Sequence, residues 1–89
     1  MRYVLFYNSA EADPELTQAH FPAHRARWAK FAEDGRLLLI GPFSDRTGAM
    51  AVFTTREAAE EFAASDPFVV HGVISDWTVR EWMEALSGS

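Results

Sequence analysis

The pattern of apolar and polar positions predicts four strands in this 89-residue chain. The first is Tyr3–Tyr7, a run of β-branched and aromatic residues. Two apolar runs, Arg36–Ile40 and Ala49–Phe53, lie on either side of the turn-rich segment Ser44–Gly48, so we predict a β-hairpin. The alternation within Gly72–Trp82 indicates a long last strand before a short C-terminal turn.

Proline and glycine mark the first helical region. Asp13-Pro14 and Phe21-Pro22 are both typical helix starts, because proline is favoured at the first helical position. We therefore expect a short helical turn and then the main helix, Pro22–Glu33, ended by Gly35. On that helix, His24 belongs to an apolar face that we expect to pack against a sheet.

A capping box marks the second helix, Thr55–Ala64. Thr54 is its predicted N-cap, and Glu57 lies three residues later, where its side chain can reach back. Asp66-Pro67 ends this helix, since proline disfavours the helical conformation of the residue before it. In the second strand, Gly41-Pro42 is predicted to act as the strand breaker.

The order of these elements predicts an α+β fold of the ferredoxin-like βαββαβ type, with one antiparallel sheet and both helices on a single face. The opposite face of the sheet would then be bare. The chain is a single predicted domain, residues 1–89, and 48% of its residues are hydrophobic and 13% aromatic. Because a small domain buries this much apolar surface poorly, we expect two sheets to pack face to face in a homodimer, alone or within a higher oligomer.

Charge and residue usage narrow the classes of partner. Eight Lys and Arg against 13 Asp and Glu give a net charge of −5, which argues against binding to nucleic acid or to anionic lipid. The absence of cysteine excludes disulfides, thiol nucleophiles and cysteine-based zinc sites. The apolar runs are shorter than the roughly 18 residues of a membrane span, and the N-terminus lacks a signal-peptide pattern. We expect a soluble, cytoplasmic protein.

The predicted strand directions bring chemically useful residues to one rim of the sheet. Tyr7 ends the first strand, Gly41 and Pro42 leave the second, and His24 lies in the first turns of the main helix. Asp66 ends the second helix at the same rim. A carboxylate beside an imidazole orients the ring, fixes its tautomer and stabilises the imidazolium. We therefore predict that His24 and Asp66 form a general acid–base pair.

Other interpretations of these residues remain open. Asp34 is nearer to His24 in sequence, but the helix rise places it about 15 Å away, at the opposite rim with Glu33. A histidine on an apolar helix face and an aspartate before proline also have purely structural uses. His20 and His71 complete no recognised metal-binding motif, so we predict no metal site.

Short motifs in the chain resemble the YCII-related (YciI-like) family. They are Phe21-Pro22-Ala23-His24, Glu33-Asp34-Gly35-Arg36-Leu37-Leu38, Gly41-Pro42, Ala64-Ser65-Asp66-Pro67-Phe68 and Gly72-Val73. The resemblance covers Tyr3 to about Trp82 and implies a dimeric α/β barrel with a His–Asp pair in a cleft. His24 matches the family histidine and Asp66 the aspartate of its D-P motif.

This chain departs from the family pattern at two places. Phe21 stands where the family often has an arginine, so the resemblance implies no contact with an anionic substrate from that position. Glu33-Asp34 stands at the helix end, where many members carry an aspartate, and this leaves a carboxylate there as the alternative partner of His24.

Residues and resemblance together support one main function and two alternatives. The main one is a cofactor-free lyase or isomerase, in which His24, oriented by Asp66, moves protons on a small cyclic or aromatic molecule. The residues expected to hold that molecule are Tyr7, Trp28, Gly41 and Pro42. The alternatives are a non-catalytic ligand-binding or accessory module and a cofactor-independent monooxygenase.

Overall fold

The structure is a computed structural model that describes residues 1–9 and 13–86. Its strands are β1 (Arg2–Asn8), β2 (Leu37–Pro42), β3 (Gly48–Phe53) and β4 (Asp76–Trp82), and its helices are α1 (Pro14–Glu33), α2 (Arg56–Ser65) and α3 (Pro67–Val70). The order confirms the predicted α+β, ferredoxin-like plan, with the short α3 added between α2 and β4.

The four strands form one antiparallel sheet in the order β2-β3-β1-β4. Residues directly opposite one another on neighbouring strands point to the same face of a sheet. Tyr7 of β1 is opposite Ala49 of β3 and Trp77 of β4, and all three face the helices. The predicted hairpin of β2 and β3 is confirmed, with a register shift between Leu37 and Leu39.

Three phenylalanines form the centre of the core between the helices and the sheet. Phe62 of α2 lies 5.2 Å from Phe31 of α1 and 5.4 Å from Phe53 of β3, measured between ring centroids. Phe53 and Phe62 are completely buried. Aromatic rings in such tilted and edge-to-face arrangements contribute packing energy beyond the area that they bury. These contacts hold α1 and α2 on the same face of the sheet, as predicted.

The first helix is continuous, so the predicted break before the main helix is wrong. Asp13 is its N-cap and accepts hydrogen bonds from the backbone N–H of Glu15 and Leu16. Pro22 lies inside the helix and cannot donate to the carbonyl of Gln18. Both residues are exposed, so water can satisfy that carbonyl and the helix continues. Its predicted end is confirmed, since Gly35 follows with a positive φ of 79°.

The second helix begins one residue later than predicted. Its N-cap is Thr55, whose side-chain oxygen accepts a hydrogen bond from the backbone N–H of Ala58. Thr54 instead donates its backbone N–H to the carbonyl of Arg36, at the end of the hairpin. The predicted capping box of Thr54 and Glu57 is therefore wrong, because Glu57 is one position too early to serve Thr55.

The second strand ends at Pro42, so the predicted breaker Gly41-Pro42 forms its last two residues. Pro42 is opposite Ala49 at the end of the pairing between β2 and β3. Because β2 lies at the edge of the sheet, the missing N–H of Pro42 leaves no interior strand without a donor. The sequence pattern could not place this strand at an edge, so the strand was predicted to end at Ile40, two residues too early.

The last strand is shorter than the predicted Gly72–Trp82. It begins at Asp76, which is opposite Asn8, the last residue of β1, so residues 72–75 have no strand beside them. Val73 and Ile74 are buried in the preceding loop, where Ile74 donates its backbone N–H to the carbonyl of Phe68. The predicted C-terminal turn falls partly on residues 87–89, outside the described residues, and residues 83–86 form neither helix nor strand.

The face of the sheet away from the helices, which we call the open face, carries a group of apolar side chains beside the exposed Arg80 of β4. Its apolar residues are Val4, Phe6, Leu39, Met50, Val52 and Trp82. Leu39 is 68% exposed and Trp82 50% exposed. A shallow cavity of about 250 Å³ lies between β1, β3 and β4 on this face. Across residues 1–9 and 13–86, no helix combines the length and apolar character needed to cross a bilayer.

Gly48 allows β3 to approach β1 closely beside Tyr7. A Cβ at Gly48 would overlap the carbonyl oxygen of Tyr7, whereas a Cβ at Gly41 would meet nothing within 4 Å. We expect Gly48→Ala to lower the free energy of unfolding by about 1–3 kcal/mol, as overpacking does elsewhere. Gly41→Ala should change it by less than about 1 kcal/mol. Urea unfolding of both variants measures the difference, and equal stabilities would contradict this close approach.

Candidate functional site

The site is built around Asp66, at the junction of α2 and α3. Pro67 holds Asp66 in an extended conformation, with φ −65° and ψ 128°, so α2 ends here as predicted. The same residue is the N-cap of α3, because its Oδ1 accepts a hydrogen bond from the backbone N–H of Phe68 at 3.3 Å. Asp66 is completely buried, so its carboxylate depends on the donors that the surrounding elements supply.

His24 supplies the next donor from the middle of α1. Its Nδ1 lies 2.8 Å from Oδ1 and 3.0 Å from Oδ2 of Asp66. Both carboxylate oxygens already accept hydrogen bonds from other groups, so Nδ1 is assigned as the protonated nitrogen. No atom of residues 1–9 or 13–86 bonds the other ring nitrogen, Nε2, and 9% of the side chain is exposed.

Tyr7 of strand β1 is the third hydrogen-bond donor to the carboxylate. Its hydroxyl donates a hydrogen bond of 2.6 Å to Oδ2 of Asp66. Burial raises the pKa of the Tyr7 phenol well above its usual value of 10.0, and the charge and hydrogen bond of Asp66 raise it further. Arg27 opposes these effects only in part. The phenol therefore keeps its proton and acts as a donor at neutral pH.

Two stacked pairs of rings join α1 to the chain that follows Asp66. The imidazole of His24 stacks on Phe68 of α3 with the ring centroids 3.9 Å apart and the planes at 9°. One helical turn earlier, His20 stacks on His71 with the centroids 3.9 Å apart and the planes at 8°. The stacking of Phe68 fixes the plane of the His24 ring relative to α3, whereas the His20–His71 pair does not contact His24.

The structure resolves the choice of carboxylate beside His24. The partner is Asp66, whereas Asp34 accepts a hydrogen bond from Arg36 at 3.1 Å. Arg27 does not contact Asp66 through a hydrogen bond, and instead donates to the carbonyl oxygens of Glu61 and Phe62 in α2. Its guanidinium therefore supports the end of that helix.

The structure places the four residues predicted to hold a substrate on α1 and on both faces of the sheet. Pro42 lies opposite Ala49, which lies opposite Tyr7, so Tyr7 and Pro42 share the helix side, whereas Gly41 lies opposite Met50 on the open face. Tyr7 is 4% exposed and its hydroxyl is occupied by Asp66, so little of it is available to a ligand. Trp28 is half-buried against the core. Gly41 and Pro42 line a cavity of about 320 Å³ that includes open-face residues of β2 and β3. Contact of a substrate with Trp28, Gly41 or Pro42 stays a prediction.

Sequence reasoning missed two contacts that complete the site. The first is the hydrogen bond from Tyr7 to Asp66, and the second is the stacking of Phe68 on His24. A signal for the second was present, because an aspartate before proline is a helix N-cap as well as a helix end. The described residues contain no cluster of three or more side chains suited to hold a metal ion.

Comparisons with known proteins agree on one family. The chain is 33% identical to Protein YciI of Escherichia coli O6:H1 over an alignment of 98 positions, which covers 97% of this chain and all of that protein. This chain is also 34% identical over 70 residues to the uncharacterized protein YjpA of Bacillus subtilis, and the match covers 76% of this chain and 81% of YjpA.

A solved structure shares the fold. It is 5-chloro-2-hydroxyhydroquinone dehydrochlorinase from Burkholderia phenoliruptrix, in complex with 2,5-dihydroxybenzoquinone. The two chains superpose with a TM-score of 0.77 over 96% of each, at 17% sequence identity, which is a likeness of fold. The model of the YCII-related domain matches residues 1–83. This chain therefore belongs to the YCII-related family.

Proposed function

We propose that the protein is a small enzyme in which His24 is the general acid and base and Asp66 orients it. The contact of Nδ1 with a fully buried carboxylate at 2.8 Å carries this proposal. A carboxylate in this position selects the tautomer with the proton on Nδ1, so that Nε2 has a free lone pair. It also stabilises the imidazolium that forms when Nε2 takes a proton.

The chemistry that this arrangement supports is proton transfer. Nε2 of His24 removes a proton from a hydroxyl or an activated C–H group of the substrate, and the imidazolium then returns the proton to another atom or to a leaving group. The first outcome is an isomerisation and the second an elimination. Both agree with a lyase or isomerase and need no protein nucleophile.

We propose small hydroxylated rings as the substrate class. The solved relative of the same fold acts on 5-chloro-2-hydroxyhydroquinone and was crystallised with 2,5-dihydroxybenzoquinone. In this chain, Phe68 stacks on the His24 ring and the half-exposed Phe21 lies 6.2 Å from it, measured between centroids. Flat aromatic surfaces beside an imidazole suit a planar ligand with acidic hydroxyls.

We also propose that two copies pack through the open face. Leu39 and Trp82 are exposed there beside the half-buried Phe6 and Met50, on the side of the sheet away from α1 and α2. Soluble monomers seldom leave an apolar surface of this extent uncovered, and a two-fold contact between identical faces would cover both. The site at His24 and Asp66 lies on the helix side, so it stays accessible in such a pair.

The catalytic proposal can be tested with the relative's substrate. We expect the protein to release chloride from 5-chloro-2-hydroxyhydroquinone, and His24→Ala to lower kcat/KM by about 10²–10⁴-fold, the usual contribution of a positioned general acid or base. His71→Ala is the matched control, because it removes an exposed imidazole outside the pair. Chloride release can be followed with an ion-selective electrode.

Other outcomes of the same assay would favour other functions. Unchanged turnover in His24→Ala would contradict the proposal. Equally tight binding of 2,5-dihydroxybenzoquinone to the unmodified protein and to His24→Ala, with no chloride release by either, would favour the ligand-binding module. Oxygen consumption with a hydroxyquinol would favour the monooxygenase.

Self-association can be tested with a charge on the open face. We expect the unmodified protein to sediment as a dimer at micromolar concentration, and Leu39→Glu to shift it toward monomer, because a carboxylate would be buried without a partner. Val70→Glu is the control, since Val70 is 61% exposed on α3, away from the open face. A stable monomer in the unmodified protein would contradict this proposal.

A further inference from the structure

We propose that Tyr7 is a positioning residue, whose buried hydroxyl holds Asp66 in the orientation that His24 requires. This inference rests on the proposed function only in calling the His24–Asp66 pair an acid–base pair. The contact that carries it is the hydrogen bond of 2.6 Å from the Tyr7 hydroxyl to Oδ2 of Asp66. The hydroxyl bonds Asp66 and not His24, and so supports the pair through Asp66.

Each of the two carboxylate oxygens of Asp66 has two hydrogen-bond contacts. Oδ1 accepts from Nδ1 of His24 at 2.8 Å and from the backbone N–H of Phe68 at 3.3 Å. Oδ2 accepts from Tyr7 at 2.6 Å and has only the longer contact of 3.0 Å with Nδ1. Without the phenol, Oδ2 would be a buried acceptor whose remaining donor, Nδ1 of His24, is shared with Oδ1, and the carboxylate would lose one of its three donors.

The electrostatic surroundings keep Tyr7 in the donor role. The ionisable groups around its hydroxyl are Asp66 itself, His24, which contacts the same carboxylate, and Arg27 of α1. Burial and the negative carboxylate raise the pKa of the Tyr7 phenol, and Arg27 lowers it by less. The proton therefore stays on the phenol, so Tyr7 remains the donor and Asp66 the acceptor of this hydrogen bond.

The sheet makes this donor rigid. Tyr7 is paired on both sides, with Ala49 of β3 and Trp77 of β4, and Gly48 packs directly against its backbone. The hydroxyl is thus anchored to the sheet, whereas Asp66 lies at a junction of two helices. A donor fixed to the most rigid part of the fold limits the movement of a carboxylate on a less rigid part.

The first experiment removes the hydroxyl and keeps the ring. In Tyr7→Phe, Asp66 loses a charge-assisted hydrogen bond, so its negative charge is less stabilised. The carboxylate then stabilises a positive charge on the neighbouring imidazole more strongly. We expect the His24–Asp66 pair to take up its next proton at higher pH than in the unmodified protein. The ring ¹⁵N resonances of His24, followed by NMR against pH, measure this transition without any substrate.

Tyr3→Phe is the matched control for this experiment. Tyr3 lies on the same strand, but its hydroxyl bonds the exposed Glu81 at 3.3 Å. We expect its His24 transition to coincide with that of the unmodified protein. An unchanged transition in folded Tyr7→Phe would overturn the proposal.

A kinetic measurement adds to this test once a substrate is known. Tyr7→Phe should then lower kcat about tenfold with little change in KM, which is the pattern for an orienting group.

The second experiment uses a protein in which Tyr7 is intact. The chain has two tyrosines, so Tyr3→Phe leaves Tyr7 as its only phenol. The raised pKa of Tyr7 stabilises the folded state below the usual value of 10.0, and this contribution is lost as the pH rises above it, because the unfolded chain releases the proton first.

We therefore expect the ultraviolet signal of tyrosinate in the Tyr3→Phe protein to appear only together with alkaline unfolding, as followed by circular dichroism. Ionisation of Tyr7 near pH 10.0 in a protein that remains folded would overturn the proposal, since burial and the carboxylate of Asp66 both oppose loss of the proton there. Neither of the two titrations needs a substrate, so a failure to find turnover would count against the proposed function alone.

Discussion

The buried carboxylate of Asp66 is the constraint on which the rest of the structure depends. An ionised group in a dry interior is costly unless donors surround it, and removal of one donor exposes the full cost. The donors come from β1, α1 and α3, through Tyr7, His24 and the backbone of Phe68. Three elements that are distant in sequence must therefore be correctly placed before Asp66 can be buried.

Proline explains how one aspartate can serve so many partners. Pro67 forces Asp66 out of the helical conformation, so α2 ends and α3 begins at the same residue. The side chain then caps α3 while it faces α1, and Phe68 is placed to stack on His24. A continuous helix through this point would present the carboxylate along the helix flank and would leave no turn to carry Phe68.

The sequence alone was sufficient where a residue's local signal and its environment agree. Periodicity placed β1, the hairpin and α2, and the strand directions brought His24 and Asp66 to one rim. The local signals failed where tertiary context decides: Pro22 is tolerated because it is exposed, and Gly41-Pro42 because β2 is an edge strand. The contact of Tyr7 with Asp66 could not be predicted, since both faces of β1 are apolar and alternation does not say which one meets the helices.

The two faces of the sheet have different contacts: one packs against the helices and the His24–Asp66 site, and the other is the open face. Alternate residues of β1 point in opposite directions, so Tyr7 supports Asp66 while its neighbour Phe6 contributes to the open face. A substitution on the open face therefore leaves the contact between His24 and Asp66 untouched. On the helix side, Asp66 commits one nitrogen of His24 and leaves Nε2 as the only ring atom with a free lone pair. The chemistry of a given member then depends on what its own side chains present to that nitrogen.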